Sequence, residues 1–261
     1  ILLDILKDQV TPALGCTEPI AVALAVAKAK ETLAHIPNKI KIKVDRNVFK
    51  NALSVGIPGT EEKGLHIAAA LAMVAGKSKY NLEVLRDITK DDILQAKEIV
   101  KNDIIDVVIA EGIIDLYIEV EVTGCQEVAK VVINSKHDNI VLIEKNGQTV
   151  FKREEIRAND ISLMDSIKKT SVKGLVEFID QIDIKQLDLV NQGIGMNKKI
   201  AEAGMKSKYG NILSRGISAH DMDVSDYAKY LTATACYARM SGYPLPVMSC
   251  AGSGNHGLTA I

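Results

Sequence analysis

Apolar residues recur at helical spacing over residues 1–36, and within that stretch Ala21, Ala23, Ala25, Ala27 and Ala29 are small enough to let another helix approach closely. The pattern predicts a buried helix. Residues 40–44 alternate as a strand, residues 51–60 read as a glycine-punctuated turn, and residues 64–75 form an alanine-rich helical stretch. Between residues 103 and 152 the period changes to two, with strands expected at 107–109, 116–122, 128–133, 140–144 and 150–151. Asn146-Gly147 is a good hairpin signal there. Helical spacing returns over 161–203 and 225–240, after which Pro244 and Pro246 interrupt it. The predicted fold class is α+β: a mainly helical body, residues 1–36 plus 160–261, carrying an α/β insert at 37–159 with a small antiparallel sheet. No internal repeat or low-complexity linker divides it.

Composition narrows the picture. A chain of 261 residues with 47% hydrophobic content and a net charge of -1 can bury a sizeable core, as one large domain or two intimate ones. Near-neutral charge, 4% aromatic residues and no tryptophan leave neither a basic face nor stacking platforms, which argues against nucleic acid as a partner. The longest apolar run, residues 20–29, is broken by Lys28 and closed by Lys30, and no charged leader with a cleavage site opens the chain. The expected location is the cytoplasm, with no membrane partner. Four scattered cysteines are too few for a disulfide framework in a chain this long and are expected to be thiols. The absence of an initiator methionine and the uncapped helical start at Leu258-Thr259-Ala260-Ile261 suggest a fragment or trimmed chain.

Candidate chemistry concentrates near the two ends. Pro12-Ala13-Leu14-Gly15-Cys16-Thr17-Glu18-Pro19 places Cys16 at the mouth of a helix, where free amides and the dipole favour thiolate over thiol. Thr17 suits a cap, Pro19 the first turn, and Glu18 the positive helix end. A small buried core residue is the plainer role for Cys16. Ser249-Cys250-Ala251-Gly252-Ser253-Gly254-Asn255-His256-Gly257 pairs a second cysteine with three glycines whose amides can cradle an anion. The alternative is a tight turn before a helix, and a dinucleotide site is poorly supported because no acidic ribose ligand follows. Two activated sulfurs suggest a metal site.

A third glycine turn, Val55-Gly56-Ile57-Pro58-Gly59-Thr60, follows Lys50 and Asn51 and offers amides and a cation to a carboxylate, or merely joins a strand to a helix. His137 falls in the hairpin-rich insert and is expected to be a solvated turn residue. His35, His66 and His220 lack a supporting pattern, and Cys125 and Cys236 read as packing residues.

The strings 12–19, Lys50-Asn51 with Gly56-Ile57-Pro58-Gly59-Thr60, Met196-Asn197 with Ile200-Ala201-Glu202, and residues 244–257 closely resemble the L-cysteine desulfidase family. That family is related to the α part of iron-sulfur L-serine dehydratases. The resemblance implies an oxygen-sensitive carbon-sulfur lyase that converts L-cysteine to pyruvate, ammonia and hydrogen sulfide. It implies a [4Fe-4S] cluster held by three cysteines with one iron open to substrate. Cys16 and Cys250 match two of those ligands, and the third is expected downstream of residue 261.

An open iron is a Lewis acid for the leaving sulfur, and a nearby base must take the Cα proton. His256 is the first candidate for proton transfer, because its ordinary pKa suits that task, and Glu18 is the second. Thr17, Lys50, Asn51, Gly59, Thr60, Ser253, Gly254 and Asn255 are the candidate substrate-binding residues. The competing readings are an iron-sulfur L-serine dehydratase, a pyridoxal-phosphate lyase using Lys50, and a non-catalytic amino-acid-binding module. The alanine-rich helices fit either close packing in a homo-oligomer or a single core.

Overall fold

In a computed structural model, described over residues 1–153, 163–214, 218 and 221–261, the period-two segments become one six-stranded sheet. Its strands are β2 (Lys39–Val44), β3 (Ile105–Ile109), β4 (Tyr117–Gly124), β5 (Glu127–Asn134), β6 (Ile140–Lys145) and β7 (Gln148–Lys152), ordered β3-β2-β4-β5-β6-β7. All neighbours are antiparallel except β2 and β3, which run parallel. The expected small antiparallel sheet is thus a larger mixed one. The turn between β6 and β7 has positive φ at both Asn146 and Gly147, the conformation that matches the twist of paired strands.

One face of this sheet is apolar and the other charged. Ile40, Ile42 and Val44 on β2 and Ile118, Val120 and Val122 on β4 are buried. On the opposite face Lys41 stands across from Glu121 and Lys43 across from Glu119, favourable pairings on a solvated surface. The buried face is covered by α2 (Thr17–Leu33), which lies over β4 and β5 and against α4 (Leu65–Ala75). Ala21, Ala23, Ala25, Ala27 and Ala29 are all fully buried within this core. A helix apolar on every side in this way is a central one. Lys30, near its end, extends its ammonium to the carbonyls of Ala72 (3.3 Å), Met73 (3.0 Å) and Gly76 (3.5 Å), closing the carboxyl end of α4.

A second apolar cluster lies among α8 (Asp188–Met205), α10 (Val224–Met240), β8 (Pro246–Cys250) and α11 (Gly254–Ala260), built from Ile200, Ala201, Ala235, Ala238, Val247 and Leu258. The helical spacing expected over 161–203 is realised as α6 (Leu163–Lys168), α7 (Val172–Gln181), a 3-10 turn and α8. Residues 161 and 162 and His220 lie outside the described residues.

The structure corrects the helical reading of the first 36 residues. After α1 (Leu2–Gln9) comes a strand, β1 (Val10–Leu14), antiparallel to β8. Spacing of Val10 and Leu14 fits a helix as well as a strand. Pro12 cannot serve a helix interior, and pairing with residues more than 230 positions away decides the outcome. Thr11 and Ser249 face each other, and the buried Ser249 hydroxyl donates to the Thr11 carbonyl at 2.7 Å.

Asn197, on α8 and buried, ties β8 to α11: its side-chain oxygen accepts from the Met248 amide at 2.8 Å and its amide donates to the Gly257 carbonyl at 3.1 Å. Gly257 is required at that crossing, because a Cβ there would stand 1.9 Å from the Met248 carbonyl oxygen. Asn197→Ala leaves a buried amide unpaired and is expected to cost about 2 kcal/mol in urea unfolding. The exposed neighbour Lys198→Ala should change stability by less than about 0.5 kcal/mol. Equal effects of the two substitutions would contradict the role given to Asn197.

Candidate functional site

Gly15 turns the chain from β1 into α2. Its φ is +78°, and a Cβ would meet Pro58 Cγ at 2.3 Å, so both the conformation and the contact call for glycine. The turn leaves Cys16 as the N-cap residue of α2 and buries it to 4% exposure. Its Sγ donates to Glu18 Oε2 at 2.9 Å, the Thr17 hydroxyl reaches the same oxygen at 3.2 Å, and Asn51 Nδ2 donates to Oε1 at 2.8 Å.

Asn51 is delivered by α3 (Arg46–Ala52), whose start is fixed by the buried Asp45. The Asp45 carboxylate caps the amides of Asn47 and Val48 and accepts from the Tyr117 amide, tying this helix to β4.

The electrostatics of Cys16 run opposite to the helix-mouth expectation. Burial pushes its thiol up from 9.0 to about 12, and the adjacent Glu18 carboxylate pushes it further than Arg239 lowers it. Desolvation and a like charge outweigh the helix dipole, so the sulfur is a neutral thiol. For Glu18, burial raises the pKa, but hydrogen bonds from Cys16, Asn51 and its own backbone, with His137 nearby, hold it below the ordinary value. Glu18 is therefore a carboxylate within an inward-facing polar cluster.

At the other end, β8 leads into a tight turn in which Cys250 and Ser253 exchange backbone hydrogen bonds, with positive φ at Ala251 and Gly252. Ser253 then caps α11 through the His256 amide at 3.3 Å. Gly254 begins the helix and lies on Arg239 of α10: a Cβ would stand 2.3 Å from Nε. The 3%-exposed Arg239 donates from Nη1 to Asn255 Oδ1 at 3.0 Å.

His137, from the β5–β6 turn, comes to the same place, its Nδ1 3.7 Å from where a Gly252 Cβ would be. It is half-buried rather than solvated. Burial lowers its pKa, Glu18 and Asp138 act against that, and Arg239 adds to it. An imidazole held neutral thus lies within electrostatic reach of both an ionised carboxylate and a guanidinium.

Cys16, Thr17, Glu18 and Asn51 form one hydrogen-bonded group, while Gly254 and Asn255 lie against Arg239, and Ser253 is next to them in the turn. His137 and Arg239 bring the two groups into electrostatic reach. Lys50 is exposed in the last turn of α3, and His256 is exposed on the first turn of α11. Gly59 and Thr60 line a separate cleft of about 460 Å³ with Tyr243, Pro244, Ile93 and Lys97. The Thr60 hydroxyl is spent on the Ile57 carbonyl at 2.8 Å. His137 and Arg239 escaped the sequence reading because neither sits in a glycine motif. A lone arginine in a helical pattern carries no signal until its burial is known.

The resemblance implies two cluster cysteines, Cys16 and Cys250, among the described residues. No three histidine, cysteine, aspartate or glutamate side chains among them converge as metal ligands. Cys250 faces Val10 in the ladder, whereas Cys16 follows Leu14, which faces Pro246, so the two sulfurs start from opposite ends of about 14 Å of paired strand. Cys16 is further committed as a thiol to Glu18. Also among the described residues, no helix is long and apolar enough to cross a membrane.

A thiol whose folded-state pKa lies above its unfolded value stabilises the fold fully below the unfolded pKa and loses that contribution as pH rises. Between about pH 9 and pH 12 the wild type should therefore lose more stability than Cys16→Ser, measured by urea unfolding at stepped pH. Parallel alkaline limbs for the two proteins would mean that Cys16 is not held neutral by the fold.

A family model described as the serine dehydratase alpha chain matches residues 79–261. A UPF0597 protein of Clostridium tetani is 49% identical over 262 residues, covering all of this chain and 62% of the relative. One from Caldanaerobacter subterraneus is 47% identical over 262 residues, again 62% of its length, and one from Clostridioides difficile is 41% identical over 272 residues, 63% of its length. The chain thus spans just over three-fifths of the curated relatives it matches. No solved structure matches it. With most of its length under that one description, including the Arg239 helix and the whole of the 249–257 motif, the chain belongs to the serine dehydratase alpha chain family, which is related to the iron-sulfur serine dehydratases.

Proposed function

We propose that this chain is the substrate-handling part of a lyase that removes the β-substituent of a small L-amino acid, and that the amino acid is L-cysteine. The observation that carries this reading is that a carboxylate, a neutral imidazole, a thiol and a guanidinium, drawn from the two end motifs and their neighbours, lie within electrostatic reach of one another. Elimination asks for a base at Cα, a proton for the departing heteroatom and a fixed carboxylate. Such a set of groups contains each of these.

In this reading His137, neutral and beside Gly252, accepts the Cα proton. Glu18 stabilises the imidazolium that results, and Asn51 and Thr17 keep its carboxylate oriented. The Cα–H pair becomes the Cα–Cβ double bond as the Cβ–S bond breaks, and sulfur leaves as hydrosulfide with that bond's electrons and takes the proton back from the His137 imidazolium to depart as hydrogen sulfide. The 2-aminoacrylate left behind tautomerises to an imine, which water hydrolyses to pyruvate and ammonia. His256, exposed one turn into α11, is the alternative proton carrier, and Ser253, Gly254 and Asn255 belong to the substrate-binding surface. Gly59 and Thr60, in their separate cleft, and the exposed Lys50 take no part in it.

Membership of a family described by serine dehydratase favours L-serine as the second reading, with hydroxide in place of sulfide as the leaving group. The iron-sulfur cofactor of the related enzymes is part of either proposal for the complete protein. Its ligands must then include groups beyond those the described residues bring together.

Full-length protein purified without oxygen should release equimolar pyruvate and ammonia from L-cysteine, with sulfide, faster than from L-serine. The reverse preference would replace desulfidation by dehydration, and no release from either would sink both. His137→Ala is expected to lower kcat by about 100-fold or more, and His256→Ala by less than about 5-fold. The opposite ranking would move the proton transfer to His256.

A further inference from the structure

A guanidinium cannot shed its charge near neutral pH, and a charged side chain is rarely buried this completely without an opposite charge. Arg239 has no such partner. It is 3% exposed, its Nη1 contacts are the neutral oxygen of Asn255 (3.0 Å) and the sulfur of Met240 (3.6 Å), and its Nε is buried without any hydrogen-bond acceptor. Among the described residues no carboxylate lies within ion-pair distance of it, and Glu18 is engaged by Cys16, Thr17 and Asn51.

The surroundings are shaped to hold the guanidinium where it is. Gly254 has no Cβ, and any side chain there would strike Nε, Cζ and Nη2 at 2.3, 2.5 and 2.8 Å. Beside it, Gly252 at φ +74° leaves space in which the nearest atom to a Cβ would be His137 Nδ1, 3.7 Å away. His137 and Cys16 both feel the Arg239 charge, so an anion held by Arg239 would lie within electrostatic reach of the imidazole and of the Cys16–Glu18 pair.

We propose that Arg239 binds the α-carboxylate of a small amino acid, so that Cα and Cβ are presented to His137. The assignment rests on the lyase reading above for the identity of the ligand. It also moves the carboxylate site away from the glycine-turn amides alone. Planar guanidinium donors match a carboxylate in two parallel hydrogen bonds, which sets the angle of the substrate as well as its position. Carboxamides and esters of the same amino acids lack the charge and should bind poorly.

The test uses the full-length protein and two ligands without a leaving group, L-alanine and L-alaninamide, titrated calorimetrically. Wild type should prefer L-alanine by about 10- to 100-fold, Arg239→Gln should lose that preference, and Arg239→Lys should keep part of it. Gly254→Ala, which leaves the charge but displaces the guanidinium, should also reduce the ratio and serves if Arg239→Gln does not fold. An unchanged ratio in folded variants, or no binding of L-alanine by wild type, overturns the assignment. If the Arg239-dependent preference is found but neither L-cysteine nor L-serine is turned over, the lyase reading fails while the carboxylate site stands. Turnover with a ratio indifferent to Arg239 is the converse.

Discussion

The pairing of β1 with β8 is the contact on which the candidate site depends. It joins residues 10–14 to residues 246–250, almost the whole chain apart, and so ties the entries to α2 and to α11 to the two ends of one short ladder. Bringing such distant segments together costs entropy that grows only slowly with the length of the loop, and it must be offset by burial and hydrogen bonding at the junction. Ser249 on the Thr11 carbonyl, Ala251 on the Gln9 carbonyl and Asn197 across β8 and α11 contribute those bonds. Close approach finishes the arrangement: Gly15 under Pro58, Gly257 under the Met248 carbonyl, and Gly254 under Arg239.

Around that junction the protein is divided by chemistry. The sheet and its two alanine-rich helices form a dry core whose far face carries alternating charges, while the carboxyl-terminal helices add a smaller apolar cluster. Apart from both clusters stand buried and half-buried groups that a purely structural role does not call for. A thiol at about 12, a carboxylate held ionised, an imidazole held neutral and an arginine without a counter-charge are costly to assemble away from water. Concentration of perturbed groups of this kind is the physical mark of a place where protons and charges are handled.

The neutral state of Cys16 bears on the iron-sulfur relation of the family. A thiolate ligand needs its proton removed, and here burial and Glu18 both oppose that.

How much of this was written in the chain can be followed residue by residue. The period-two stretch and the Asn146-Gly147 turn determine β4 to β7, and the alternating alanines of α2 announce a buried helix, because both are local patterns with a single geometric solution. Cys16 and the 249–257 glycines likewise stand out locally, since helix mouths and tight turns demand particular residues. Tertiary structure alone decided the rest. Val10 and Leu14 became strand only because β8 lay alongside, the Cys16 thiol stayed protonated only because the fold removed its water and set Glu18 beside it, and Arg239 and His137 acquired meaning only through burial among groups distant in sequence. Periodicity reports which face of an element is apolar; which charges meet, and how much water is left between them, is set by contacts that no short window of sequence contains.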